Sequence, residues 1–117
     1  AKTSKEIHFN DNKYNFNLNE LLKLSDQEFR KRFTGSPIKR IGRDRFIRNC
    51  CIAAGNSKNK ELMSTLVNLL LKDQSFLVRG AALWALQQLD NKNNLISLKK
   101  RHLRVEKNNK VLAEWSI

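Results

Sequence analysis

Phe46-Ile47-Arg48-Asn49-Cys50-Cys51-Ile52-Ala53-Ala54 and Leu77-Val78-Arg79-Gly80-Ala81-Ala82-Leu83-Trp84-Ala85 repeat one pattern at an offset of 31 residues. Two large apolar residues are followed by Arg, a small or polar residue, two small residues, a large apolar residue and a closing Ala. Lys110-Val111-Leu112 is a candidate start for a third copy at an offset of 33. Units of this length cannot bury an apolar face alone, so they stack as helix pairs into a solenoid. The small residues let neighbouring helices approach closely. The Arg at each equivalent place has two readings that stay open: a bridge or cap between repeats, or a surface cation.

The caps and periods around the repeat agree with helices throughout. Asn17 caps 18–24, with Glu20 at its third position. Ser25-Asp26-Gln27-Glu28 is a capping box opening 26–33, with Phe29 and Phe33 on its inner face. Gly35 can end that helix. Ser36-Pro37 opens a turn over 37–41, closed by Gly42. A helix from 43 to 54 follows, and Gly55-Asn56 is expected to end it. On this helix Ile52 falls on the polar side, which only contact with a neighbouring segment explains. Asn59 caps 60–72, with Leu62, Leu66, Leu69 and Leu70 as its stripe. Ser75 caps 76–89, which is apolar nearly all round and should be central. Helices over 91–102 (Leu95, Ile96, Leu98 and Leu103 inside) and 109–115 (Val111, Leu112 and Trp115) complete the chain. The expected fold is all-α, a solenoid of six to seven helices in stacked pairs. The pattern of Asp73, Val78-Arg79, Ala82 and Ala85-Leu86 resembles the second helix of HEAT repeats. Residues 17–117 would form this domain behind an extended lead-in, 1–16, pinned by one or two of its aromatics.

Composition fits a single globular domain: 117 residues, 40% hydrophobic, 29% charged, with 4 Gly and 1 Pro. No apolar run nears the ~20 residues of a membrane span. Neither a signal peptide nor a lipidation motif is seen. The chain starts with Ala and is expected to be a fragment or a trimmed product. Cys50 and Cys51 are adjacent and cannot easily bridge to each other. With His8 and His102 far off in sequence, no metal set is expected; two small core thiols in a reducing cytoplasm are.

The charge is segregated. Residues 30–48 hold Arg30, Lys31, Arg32, Lys39, Arg40, Arg43, Arg45 and Arg48 against Asp44, a net +7. Residues 99–110 hold Lys99, Lys100, Arg101, Arg104, Lys107 and Lys110 against Glu106, a net +5, and the two runs make up the whole +12. Such segregation suits a polyanion, although a solvated basic face that aids solubility is the plain alternative. The turn bearing Lys39 and Arg40 leads into a helix whose outer face carries Arg45 and Arg48. A helix N-terminus there would present N–H groups, so the stretch resembles a phosphate cradle. Lys39, Arg40, Arg43, Arg45 and Arg48 are the expected phosphate contacts, flanked by Arg30, Lys31 and Arg32. The second run divides evenly between RNA contact and complementing a helix dipole.

Several stretches, in order, resemble the C-terminal region of epoxyqueuosine reductase. They are Leu21-Leu22 with Leu24, Phe29-Arg30-Lys31-Arg32-Phe33, Gly35-Ser36-Pro37-Ile38-Lys39-Arg40, Arg48-Asn49, Ala54-Gly55-Asn56-Ser57, and Leu77 to Leu86. The resemblance covers roughly residues 18–89, and the Gly-Ser-Pro-Ile-Lys-Arg run is its most specific part. It implies a HEAT-like domain that helps hold a tRNA anticodon stem-loop. It also implies a parent oxidoreductase that reduces epoxyqueuosine to queuosine in tRNA, with cobalamin and two 4Fe-4S clusters in preceding domains. The ferredoxin-like cysteine runs and a catalytic acid in context are missing here, and Cys50-Cys51 has no cluster spacing. The chain itself is therefore expected to hold no cofactor and to catalyse nothing, and to act as a cytoplasmic monomer. The competing expectation is a HEAT-like module that docks an acidic protein partner or its own catalytic domain. An exposed apolar patch among the basic residues would favour that alternative.

Overall fold

The structure is a computed structural model that describes residues 17–116; the lead-in, 1–16, lies outside the described residues. Helices α1 (Leu18–Leu22), α2 (Asp26–Arg32), α3 (Arg43–Asn56), α4 (Met63–Lys72), α5 (Phe76–Leu89), α6 (Ile96–Val105) and α7 (Asn109–Ala113) follow in order. Short 3-10 turns precede α3, α4 and α6 and follow α7. No strand occurs among the described residues.

The helices form two layers. Helices α3, α5 and α7 adjoin in that order, and α1, α4 and α6 adjoin in a second layer packed against them. The body measures 41 × 26 × 24 Å. This is the stacked-pair solenoid that the repeat implies, and its buried positions follow the offset of 31. Ile47 and Val78, Cys51 and Ala82, and Ala54 and Ala85 are each fully buried. At one end Phe29, Phe33 and Phe46 meet with ring centroids 5.1–5.2 Å apart, in tilted pairs.

The caps form as read. Asn17 Oδ1 accepts from the Asn19 and Glu20 N–H groups. Ser25 and Glu28 complete the capping box. Ser75 Oγ accepts from Val78 N. Two expectations fail. Gly55 does not end α3, which continues through Asn56. A Cβ at Gly55 would stand 2.6 Å from Trp84 Cζ3 and 3.0 Å from Ala85 Cα, so Gly is there to let α5 approach. On α6, Ile96 and Leu103 are 53% and 51% exposed, and the interior is filled by Leu98 and His102.

His102 can be buried because its ring is satisfied on both sides. Trp115 Nε1 donates to His102 Nδ1 at 2.8 Å. Indole N–H only donates, so the ring proton sits on Nε2, which donates to Glu106 Oε1 at 2.9 Å. Arg79 grips both oxygens of the same carboxylate, Nε to Oε1 at 2.8 Å and Nη2 to Oε2 at 2.9 Å. Arg79 also donates to the carbonyls of Asp73 and Gln74. It therefore bridges between repeats, one of the two roles open for it.

Candidate nucleic-acid interface

The predicted cations divide into two groups. Lys31, Lys39, Arg40 and Arg45 are exposed and carry no ion pair with a described residue. Arg30 is exposed but pairs with Asp26 at 2.9 Å, a contact of small energy in water. Arg32 is exposed as well.

Arg43 is different. Its side chain is only 14% exposed and forms a fork onto Asp73, Nη2 to Oδ1 at 2.7 Å and Nη1 to Oδ2 at 3.1 Å. Nε donates to the Leu24 carbonyl at 3.0 Å, and Nη1 also reaches Asp44. Three of its hydrogen bonds thus tie it to Leu24 and Asp73 within the fold, because the first turn of α3 lies beside the α4–α5 turn that carries Asp73. Arg48 is half-buried; its Nη2 approaches Asn49 Oδ1 at 3.4 Å, and its Nε is buried with no hydrogen-bond partner.

The N-termini of the inner helices explain where an anion could sit. Before α5, Asp73 lies two residues ahead of the cap Ser75, and its Oδ2 accepts from Ser75 N. Before α7, Glu106 lies two residues ahead of the cap Asn108, and its Oε2 accepts from Asn108 N. Both ends are closed by an acid and a capping side chain. Before α3 the cap is Gly42, at φ 82°, with no side-chain hydrogen bond, and the residue two ahead is Arg40. Gly42 supplies a left-handed conformation that few other residues adopt. This end therefore leaves backbone N–H groups open beside cations, where a helix dipole favours negative charge. It opens on a cleft of about 870 Å³ lined by Arg45 and Lys72 and also by the acids Asp26, Asp44 and Asp73, the last held by Arg43. Lys72 had no signal in the sequence beyond its sign. Lys39 and Arg40 border a separate hollow with Gly35, Ser36 and Pro37.

In the second run Lys99, Lys100, Arg101, Arg104, Lys107 and Lys110 are all exposed. The Lys99 ammonium lies 5.9 Å from the centroid of the Trp115 ring. Arg104 occupies the last turn of α6, where a cation complements the dipole.

The two thiols do not suit a cluster or a metal. Both are fully buried. Burial pushes the Cys51 thiol up to about 12 and raises Cys50 well above its ordinary value. A thiolate is the ligating form, so neither offers one. Among the described residues, no group of three or more His, Cys, Asp or Glu is placed to hold a metal ion. No helix among them is long and apolar enough to cross a membrane.

No family model matches the chain. Over 71 residues, 61% of its length, it is 37% identical to epoxyqueuosine reductase of Xanthomonas campestris pv. campestris, of which it covers 20%. It is 29% identical over 83 residues to an uncharacterized protein in the gldA 3' region of Geobacillus stearothermophilus, covering 71% of this chain and 38% of that one. Two solved structures share its fold at a TM-score of 0.78 and 25% identity, covering 86% of this chain and 27% of each of theirs. One is epoxyqueuosine reductase with a tRNA-Tyr epoxyqueuosine-modified tRNA stem loop, and the other is epoxyqueuosine reductase from Bacillus subtilis. By sequence and by fold the chain is similar to a C-terminal part of epoxyqueuosine reductases, and it spans only about a fifth to a quarter of the length of those enzymes.

Proposed function

We propose that residues 17–117 form the HEAT-like, tRNA-binding domain of an epoxyqueuosine reductase-like protein of the cytoplasm. The parent would reduce epoxyqueuosine to queuosine in tRNA, with its cobalamin and 4Fe-4S clusters held by other domains. This domain holds the phosphate backbone of the anticodon stem-loop and acts as a monomer. The observation that carries the reading is the open N-terminus of α3. It is the inner helix whose N-cap makes no side-chain hydrogen bond and has Arg40 rather than an acid two residues ahead; Asp44 stands in its first turn, beside exposed Lys39, Arg40 and Arg45 close by in the chain. A solved neighbour crystallised with a tRNA stem loop supports it. Arg30, Lys31 and Arg32 flank the contact, and Arg48 extends it along α3. Arg43 contributes by fixing α3 in place, since its own guanidinium is committed to Asp73.

Stem-loops are recognised largely through backbone and shape, so neutralised phosphates should dominate affinity. With about six neutralised, the log–log slope of affinity against salt should be roughly −4 to −5. The test is titration of the chain into a fluorescent anticodon stem-loop at several salt concentrations, with a scrambled hairpin alongside. Salt-sensitive binding that prefers the true stem-loop supports the reading; a slope near zero refutes it.

Exposed apolar surface at Ile52 and Phe76, 42% and 46% exposed, favours a second reading. In that reading the module docks an acidic partner or its own catalytic domain. Replacing Lys39 and Arg40 together by Glu separates the two. Loss of RNA binding in a folded chain supports the first; loss of a protein complex alone supports the second.

A further inference from the structure

Helices α3, α5 and α7 leave a groove of about 470 Å³ on the inner layer. Ile52, Phe76 and Trp84 give it an apolar wall, while Arg48, Lys110 and Glu114 are its charged members. This accounts for Ile52, the apolar residue stranded on the polar side of α3. Arg48 belongs to the first basic run and Lys110 to the second, so the two runs meet here. The Arg48 Nε buried without a partner is a donor with no acceptor supplied by the fold.

A site for phosphate alone needs no aromatic wall, and an apolar seam between helices needs no cations. Both features together fit one nucleotide of a single strand, a flat base between phosphates. We infer that the groove receives an unstacked base of the RNA loop. The base lies against Phe76, Ile52 and Trp84, and its flanking phosphates are held by Arg48 and Lys110. This deepens the proposed function and rests on it. An acidic peptide could also meet two cations. The runs that reach the groove carry +7 and +5, however, and that field suits a polyanion continuing beyond the groove on both sides. Glu114 repels phosphate, which keeps the backbone at the rims, and it can accept from the exocyclic amine of adenine, cytosine or guanine. The remaining wall is apolar, so recognition should tolerate different bases.

The test uses the 117-residue chain and two RNAs with equal numbers of phosphates, a hairpin with an open loop and a blunt duplex. The wild-type chain should bind the hairpin about tenfold more tightly than the duplex. Replacing Phe76 and Ile52 together by Ala should erase that advantage and leave duplex binding within about twofold. Both side chains are exposed, and circular dichroism checks the fold. If both RNAs bind equally and in a salt-sensitive way, the basic-face reading stands and the groove inference falls. If neither binds, both fall. Hairpin binding unchanged in the double variant also overturns the inference. Should that variant not fold, 2-aminopurine in the loop decides with the wild-type chain. A changed emission on binding supports a base in the groove, and an unchanged one overturns it.

Discussion

Glu106→Gln tests the seam between the last two repeats, and the structure sets its magnitude. The carboxylate is 2% exposed and takes four donors. Oε1 accepts from Arg79 Nε and His102 Nε2, and Oε2 from Arg79 Nη2 and the backbone N–H of Asn108. An amide has one acceptor oxygen, so either orientation strands two donors and leaves Arg79 without its counter-charge. Breaking a buried pair from one side costs about 3–5 kcal/mol. The electrostatics of the same carboxylate give a figure of the same order. Burial pushes its carboxyl up, but Arg79, His102 and the Asn108 N–H outweigh that and hold it at about 2. Against the ordinary value of 4.5, that is worth about 3 kcal/mol at neutral pH. The group binds its proton more weakly in the folded chain than in the unfolded one. Its stabilisation is therefore complete above about 4.5 and is lost as pH falls through about 2. Urea unfolding at pH 7 should show the variant about 3–5 kcal/mol less stable, and about 2 kcal/mol of that gap should vanish by pH 3. A gap under about 1 kcal/mol at pH 7, or one unchanged at pH 3, would refute the reasoning.

Three further outcomes are expected. Gly55→Ala gains about 1 kcal/mol of helix propensity but drives a methyl to 2.6 Å from Trp84, which costs about 1–3 kcal/mol; thermal melting should show a net loss of stability, and a raised Tm would exclude the close approach. Arg43→Gln leaves the largely buried Asp73 carboxylate without its fork and should lower stability by roughly 3 kcal/mol in urea, with RNA affinity of the folded chain changed less than about twofold; Arg45→Gln should do the reverse, and loss of RNA binding by Arg43→Gln at unchanged stability would return Arg43 to the surface set. Cys50 and Cys51 should resist iodoacetamide in the native chain and react fully in urea, because burial removes both access and thiolate; rapid native labelling would contradict the buried placement.

What the sequence could disclose was local. Ser75 and the continuous apolar surface after it define α5 at both ends, and the capping box at Ser25 does the same for the start of α2. Gly55 misleads because a glycine after a helical run usually ends it, whereas the actual cause is Trp84, 29 positions on. The interior face of α6 misleads for a similar reason. His102 outcompetes Ile96 and Leu103 for burial only because Trp115 and Glu106 satisfy its ring, and Trp115 reaches it from beyond the end of the helix. The basic site shows the same division. The exposure of Arg45 follows from helical period, while Lys39 and Arg40 stand exposed in the short turn before α3. The burial of Arg43 depends on Asp73, 30 residues later, and the meeting of Arg48 with Lys110 depends on how α3, α5 and α7 stack.

The two kinds of arginine follow from one repeated device. Asp73 is the C-cap of α4 and Glu106 the C-cap of α6, and each is gripped by an arginine fork from the inner layer, Arg43 and Arg79 respectively. Each acid also holds the backbone N–H two residues on, at the N-cap of the next inner helix. One acid thereby ties an outer helix, an inner helix and the turn between repeats. A planar fork suits that task better than an ammonium, which is why arginine rather than lysine stands at both seams. At the start of α3 the corresponding place holds Arg40, which cannot close the helix end in this way. Asp44 is the acid in the first turn there, and under the proposed function an RNA phosphate would add the charge that the N-cap position lacks. Structural and binding arginines are therefore separable by substitution: removing a seam fork should lower stability with little change in RNA affinity of the folded chain, whereas removing Arg40 or Arg45 should weaken RNA binding and leave stability nearly unchanged.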